Sequence, residues 1–200
     1  IEKLLETALQ NEKTMSAELK LLKEKHLSLS RALIGSKKRT DSLCREVTQV
    51  IDCLERLLLG AAYTGDVTTK IRDAAITAGE RLSVRIMAAF LRELSVKAQA
   101  VDSDTMGLVS TGEFGNGTVD LAAAGQSLPG QLERFFSAGI MPVVTGFFGE
   151  TAGGETITFG RGGSDYSAAA LAAILNPGRL EIWKDVDGFL SADPQFIPEA

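Results

Sequence analysis

The hydrophobic period of this chain changes at Leu94, and that change constrains the fold more than any other feature. Before it, Met15, Leu19, Leu22, His26, Leu29 and Leu33 recur three and four positions apart, and Leu43, Val47, Val50, Leu54 and Leu57 repeat the rhythm. This is the stripe of an amphipathic helix. Gly35 and Ser36 interrupt it, so residues 1–62 are expected to form an antiparallel helical hairpin. A second helical stretch is expected over 66–94, with a seam at Gly79-Glu80. Beyond Leu94, short strand-like runs (98–101, 108–110, 141–145 and 180–183) alternate with helical ones (131–138 and 167–175). Such alternation specifies an α/β fold over 63–200, a mainly parallel sheet sandwiched by helices. Asn116-Gly117 and Gly153-Gly154 read as tight turns.

Composition narrows the function classes. With 200 residues, 44% of them hydrophobic, the chain can bury a real core. A net charge of −5 lacks the basic footprint of a nucleic-acid binder, so partners should be small molecules or other subunits. No apolar run has the length a bilayer crossing needs, and the first ten residues alternate charges with leucines, so a cytoplasmic location is expected. Cys44 and Cys53 lie nine positions apart on one expected helix, hence on opposite faces, and are read as reduced and not metal-binding. His26, the one histidine, falls on the apolar stripe without a cysteine or carboxylate at ligand spacing and reads as a packing residue.

The stretch richest in chemistry is Gly160-Arg161-Gly162-Gly163-Ser164-Asp165, followed directly by an alanine-rich helix. Glycines let backbone N–H groups converge, and a helix start adds unsatisfied donors with partial positive charge, so the arrangement favours anions. Arg161 adds a planar fork suited to a carboxylate or phosphate. Taken alone the loop also fits a plain helix start capped by Ser164 or Asp165. It is neither a P-loop, which needs Lys-Ser or Lys-Thr after the last glycine, nor a dinucleotide fingerprint. Lys184-Asp185-Val186-Asp187-Gly188, leading to Ala192-Asp193-Pro194, reads either as a ligand loop beyond a strand end or as an acidic turn. A calcium loop does not fit, because the glycine comes too early and no glutamate closes it.

In order and spacing, Gly160 to Asp165, Lys184 to Gly188 and Ala192-Asp193-Pro194 resemble the signatures of aspartate kinases. Gly79-Glu80-Arg81-Leu82-Ser83 is similar to that family's Gly-Glu-x-x-Ser helix start, and Phe114-Gly115-Asn116 to its Phe-Gly-Asn segment. Gly146-Phe147 and Gly154-Glu155-Thr156 resemble the strand and hairpin that lead into the glycine loop. Related amino-acid and nucleotide kinases carry other residues at that loop. Three positions depart from the common pattern: Lys184 and Leu190 stand where many members have threonine and tyrosine, and Gln195 where arginine is common.

The resemblance implies transfer of the γ-phosphate of ATP, with Mg2+, to the side-chain carboxylate of L-aspartate, in a homodimer. It further implies that Glu80, Phe147, Arg161 and Ser164 line the aspartate site and that Asp165 orders the catalytic groups. Gly160, Gly162 and Gly163 would form the phosphate loop, and Lys184, Asp185, Asp187, Leu190 and Asp193 would lie near the nucleotide; no residue is assigned to metal. The family's opening Lys-Phe-Gly-Gly strand and its C-terminal regulatory domains find no match in these 200 residues. This polypeptide alone is therefore expected to be nearly inactive. Two alternatives accompany this reading: a kinase that forms an acylphosphate on another acid, and a truncated, non-catalytic nucleotide-binding copy.

Overall fold

The computed structural model describes residues 1–183 and residue 197. Five helices come first: α1 (Glu2–Gln10), α2 (Glu12–Leu33), α3 (Lys37–Thr64), α4 (Thr69–Ile76) and α5 (Ala78–Glu93). The expected hairpin exists as α2 and α3, turning at Ile34-Gly35-Ser36, but the segment before it is a separate helix. Asn11 makes that break. Its backbone N–H closes α1 onto the Thr7 carbonyl at 2.8 Å, while its side chain accepts from the Thr14 N–H at 3.1 Å and so caps α2. A lone asparagine within a leucine rhythm gave no periodicity signal for this break.

The stripe on α3 is the spine of the helical core. Leu43, Val47, Val50, Ile51, Leu54 and Leu58 are all buried, and they pack with Leu4, Leu5, Met15, Leu19 and Leu82. On α2 the stripe is buried only at its start: Leu22 and His26 are half-buried and Leu29 is exposed. His26 places its Nδ1 2.8 Å from the Leu22 carbonyl, a local bond within its own helix. Cys44 and Cys53 are free thiols.

The α/β half is laid out as β1 (Ala98–Val101), β2 (Ser110–Glu113), β3 (Asn116–Val119), α6 (Leu121–Ser137), β4 (Met141–Val144), β5 (Phe148–Glu150), β6 (Thr156–Thr158) and α7 (Gly163–Leu175). β1 and β4 run parallel, in register from Ala98 opposite Met141 to Val101 opposite Val144. Their connection passes through α6, as a parallel crossover requires. β2–β3 and β5–β6 are antiparallel hairpins, tied together by a parallel bridge between Val109 and Glu150. A second core of Leu108, Val119, Leu128, Leu132, Phe159 and Ala170 joins α6 and α7 to the strands, with Val101 and Val144 packed against it.

Several expected boundaries move. The strand expected at 108–110 begins only at Ser110, and Asn116-Gly117 lies inside β3, the turn itself being Phe114-Gly115. The seam between α4 and α5 falls at Thr77 rather than Gly79-Glu80, and the Thr77 hydroxyl bonds back to the Ala74 carbonyl at 2.9 Å. α6 starts ten residues earlier than the expected 131, because Asp120 caps it through the N–H groups of Ala122 and Ala123 while Pro129 sits inside it. Residues 180–183 are irregular where a strand is expected; Trp183 is 87% exposed and its indole N–H donates to Glu181. A strand needs a partner, and among the described residues none pairs with this run.

The α3 stripe sets a contrast in stability. Leu58→Ala, at a fully buried site, should cost about 2–5 kcal/mol of unfolding free energy in a urea titration, while Leu29→Ala on the exposed end of the α2 stripe should stay within about 0.5 kcal/mol.

Candidate functional site

The site lies just beyond the carboxyl end of β4, between the start of α5 and the loop that joins β6 to α7, and ligands in open α/β sheets usually bind beyond such strand ends. A buried polar cluster ties the ends of β1 and β4 together. The Ser103 N–H donates to the Thr145 hydroxyl at 2.8 Å, that hydroxyl donates to Ser103 Oγ at 2.9 Å, and Ser103 Oγ donates to the Phe148 carbonyl at 2.7 Å. The chain thus leaves β4, passes Gly146-Phe147 and enters β5 along a fixed path.

Phe147 makes the turn in the left-handed region, at φ 77°. That conformation costs a non-glycine residue on the order of 1–2 kcal/mol and persists only where the surroundings impose it. Three contacts do so. The Phe147 N–H donates to Ser167 Oγ at 2.8 Å, the Phe147 carbonyl accepts from the Phe159 N–H at 2.9 Å, and Gly163 presses on the ring from the start of α7. A Cβ on Gly163 would stand 2.8 Å from Phe147 Cδ2 and 3.2 Å from its Cα, so only glycine permits this approach. Ser167, which also donates to the Gly163 carbonyl at 2.6 Å, belongs to no motif of the sequence. It reads there as one more small residue of an alanine-rich helix.

Between β6 and α7 the glycine loop turns through two left-handed positions, Gly160 at φ 71° and Gly162 at φ 72°. Gly162 occupies the cap of α7 without a side chain, and Ser164 and Asp165 fall inside its first turn. Neither is therefore the cap residue itself. The helix opens on backbone donors that face the loop.

These pieces enclose a cavity of about 450 Å³ lined by Glu80, Phe147, Gly160, Arg161, Gly162, Gly163, Ser164 and Asp165. Every aspartate-site, phosphate-loop and catalytic residue expected from the sequence thus borders one space. Lys184, Asp185, Asp187, Leu190 and Asp193 lie outside the described residues. The size suits a small metabolite.

The electrostatics of the cavity are polarised. Glu80, in the first turn of α5, is half-buried, and Arg161 is exposed on the opposing loop. Among the described residues neither side chain has an ion pair or a hydrogen bond. Burial pushes the Glu80 carboxyl above its ordinary value; the favourable position at a helix start does not offset it. The next residue, Arg81, is by contrast fully engaged. It reaches Asp102 at 2.9 Å and both oxygens of Asp104, and stands 4.7 Å above the Phe148 ring. Arg85 grips Asp102 bidentately at 2.8 Å on each arm. A separate cavity of about 330 Å³ beside this network is lined in part by Arg81, Arg85 and Asp102, whose charges already pair with one another, and in part by Glu46 and Gln49.

The family model described as the amino acid kinase family matches residues 10–200. Aspartokinase 1, chloroplastic, of Arabidopsis thaliana is 34% identical over 188 residues, covering 92% of this chain and 31% of the relative. The aspartokinase of Schizosaccharomyces pombe is 39% identical over 153 residues, 74% of this chain and 29% of the relative. Crystal structures of Escherichia coli aspartokinase III superimpose with a TM-score of 0.82: the T-state with lysine and aspartate (27% identity, 98% of this chain, 43% of that one) and the R-state with aspartate and ADP (28%, 96% and 42%). The chain spans about a third of the length of the curated relatives it matches. Among the described residues no helix is long and apolar enough to cross a membrane.

The raised Glu80 value has a consequence for stability. A carboxyl whose folded value lies above its unfolded one burdens the fold when ionised; the burden is present at neutral pH and is relieved as pH falls through the raised value. Glu80→Gln should raise the melting temperature at pH 7 by on the order of 2 °C, with the gain vanishing near pH 4 in a thermal-melt series.

Proposed function

We propose, from the premise that this chain belongs to the amino acid kinase family, that its protein is an aspartate kinase, transferring the γ-phosphate of ATP to the side-chain carboxylate of L-aspartate. The single observation that carries the reading is the pair of opposite charges, Glu80 and Arg161, unpartnered among the described residues, on the walls of one cavity at the start of α7. An amino acid presents the complement to both. Arg161 takes a carboxylate through its planar fork, and Glu80 takes the ammonium group. Phe147 and Ser164 close the space around the substrate, and Asp165 orders the groups near the transferring phosphate.

The attacking carboxylate is ionised at neutral pH, so the protein need not supply a strong base. Its work is to bring two anions together. Gly160, Gly162 and Gly163 shape the phosphate loop, the Gly163 N–H closing its turn onto the Gly160 carbonyl at 3.1 Å, and the positive end of α7 offsets part of the charge that gathers as the oxygen nears phosphorus. Mg2+, bound with the nucleotide, would supply neutralisation of phosphate charge. Among the described residues no group of three or more acidic, histidine or cysteine side chains is placed to hold a metal ion. Phosphate oxygens of the nucleotide suit such a hard cation, which keeps several waters. Lys184, Asp185, Asp187, Leu190 and Asp193 are assigned to the nucleotide by the resemblance of their loop. The reading extends to a cytoplasmic homodimer producing 4-phospho-L-aspartate, the first step toward lysine, threonine and methionine. Support comes from aspartokinases at 34% and 39% identity and from the aspartate and ADP in the superimposed E. coli structures.

The direct test incubates the full-length protein with ATP, Mg2+ and either aspartate or glutamate, trapping acylphosphate as a hydroxamate. Hydroxamate with aspartate is expected; product with glutamate alone would sink the reading. Arg161→Ala should raise the KM for aspartate about a hundredfold and leave kcat within about threefold, as loss of a carboxylate clamp does.

A further inference from the structure

Asp73 on α4 is a buried carboxyl group with no part in the chemistry above. It is 1% exposed, and among the described residues no cation stands beside it. Its partners are neutral donors from two distant segments. Asp73 Oδ2 accepts from the N–H groups of Gly115 and Thr158, both at 2.8 Å, and Oδ1 accepts from the Thr158 hydroxyl at 3.0 Å. Gly115 belongs to the turn between β2 and β3, and Thr158 is the last residue of β6.

Both segments bear on the glycine loop. Thr158 is two residues ahead of Gly160, and the Gly115 carbonyl oxygen lies 3.2 Å from where a Cβ on Gly160 would stand. Asn116 Oδ1 is 3.6 Å from the same point. The turn at Gly115 therefore roofs Gly160 while β6 feeds into it, and one carboxylate fixes both. Removing the acceptor orphans the buried N–H and hydroxyl of Thr158 and takes the partner from the Gly115 N–H, whose bond is part-buried.

We propose that Asp73 is a positioning residue for the amino-acid site: by holding the Gly115 turn and the end of β6 together, it sets where the glycine loop places Arg161. The kinetic part rests on the assignment of Arg161 to the aspartate carboxylate. If Asp73 only filled core volume, losing its carboxylate would lower stability without a specific effect at the loop.

The experiment compares Asp73→Ala, Asp73→Asn and Thr158→Val in the full-length protein. It reads amide hydrogen exchange over 159–165 without substrates, and then kcat and both KM values. Asp73→Ala should speed exchange across the loop and raise the KM for aspartate about ten- to a hundredfold, with the KM for ATP within about twofold. Asp73→Asn should restore the KM for aspartate to within about threefold, because its amide oxygen can accept both backbone N–H groups while its NH2 donates to Thr158 Oγ1. Thr158→Val, which removes one of the three bonds, should raise that KM by about three- to tenfold. Unchanged loop exchange in Asp73→Ala overturns the proposal, as does an equal rise of both KM values without rescue by asparagine. Should Asp73→Ala not fold, a wild-type KM in Thr158→Val overturns it instead. A wild-type protein that does not phosphorylate aspartate defeats the aspartate-kinase reading, while the exchange data still decide whether Asp73 holds the loop.

Discussion

The paired arginines and aspartates between α5 and the end of β1 hold the helical layer to the strand layer, and the site depends on that attachment. Arg81 and Arg85 leave α5 one turn apart and meet Asp102 and Asp104 just beyond β1, with Thr156 of β6 donating to Asp104 at 2.9 Å. All four side chains are largely shielded from water. Burial alone would push the Asp102 carboxyl up, but the hydrogen bonds from Arg85 and the charges of Arg81 and Arg85 outweigh it, and its pKa lies below the usual carboxylate range. The Arg81 guanidinium is conversely raised, burial being more than offset by Asp104 and Asp102. Ion pairs of this kind contribute little net stability, since desolvation consumes most of the attraction. What they supply here is geometry. Arg81 is chain neighbour to Glu80 and stacks on Phe148, itself chain neighbour to Phe147, so two walls of the cavity are referenced to one guanidinium.

Strain and packing fix the third wall. Phe147 in its left-handed conformation is held by Ser167 and by contact with Gly163, so the start of α7 and the exit from β4 form one unit. The glycines of the loop accordingly have two physical duties. Gly160 and Gly162 supply left-handed turns, whereas Gly163 supplies absence of volume against an aromatic ring. A reading in which all of them merely cradle phosphate would miss the second duty.

How much of this was legible in the sequence depended on whether the signal was local. The α3 stripe, the change of period at Leu94 and the helix after Gly163 were readable because periodicity reports on one element at a time. The residues around the cavity were found because Glu80, Phe147 and Gly160 to Asp165 form recognisable short motifs. Boundaries set by single side chains were not readable: Asn11 splits a helix, Asp120 starts one ten residues early, and Pro129 sits inside it without ending it. Asp73, Ser167 and the Arg81 network escaped for a different reason. Their partners lie from 17 to 85 residues away, and nothing local distinguishes Asp73 from a surface acid or Ser167 from its alanine neighbours.

The polarity of the cavity bears on selectivity as well as binding. On the proposed reading, an acid that lacks the ammonium group would bring only negative charge to a space already bordered by Glu80 and Asp165. It would gain the Arg161 contact and leave Glu80 unpaired and further desolvated, a penalty that adds to the missing attraction. Burial makes Glu80 reluctant to ionise in the empty site, and a bound ammonium reverses that reluctance. The substrate thus supplies the charge that the fold withholds. On the proposed reading, the same half-burial that costs the protein stability would let Glu80 favour an amino acid over a simple dicarboxylic acid, because a fully solvated carboxylate would lose less when left without an ammonium partner.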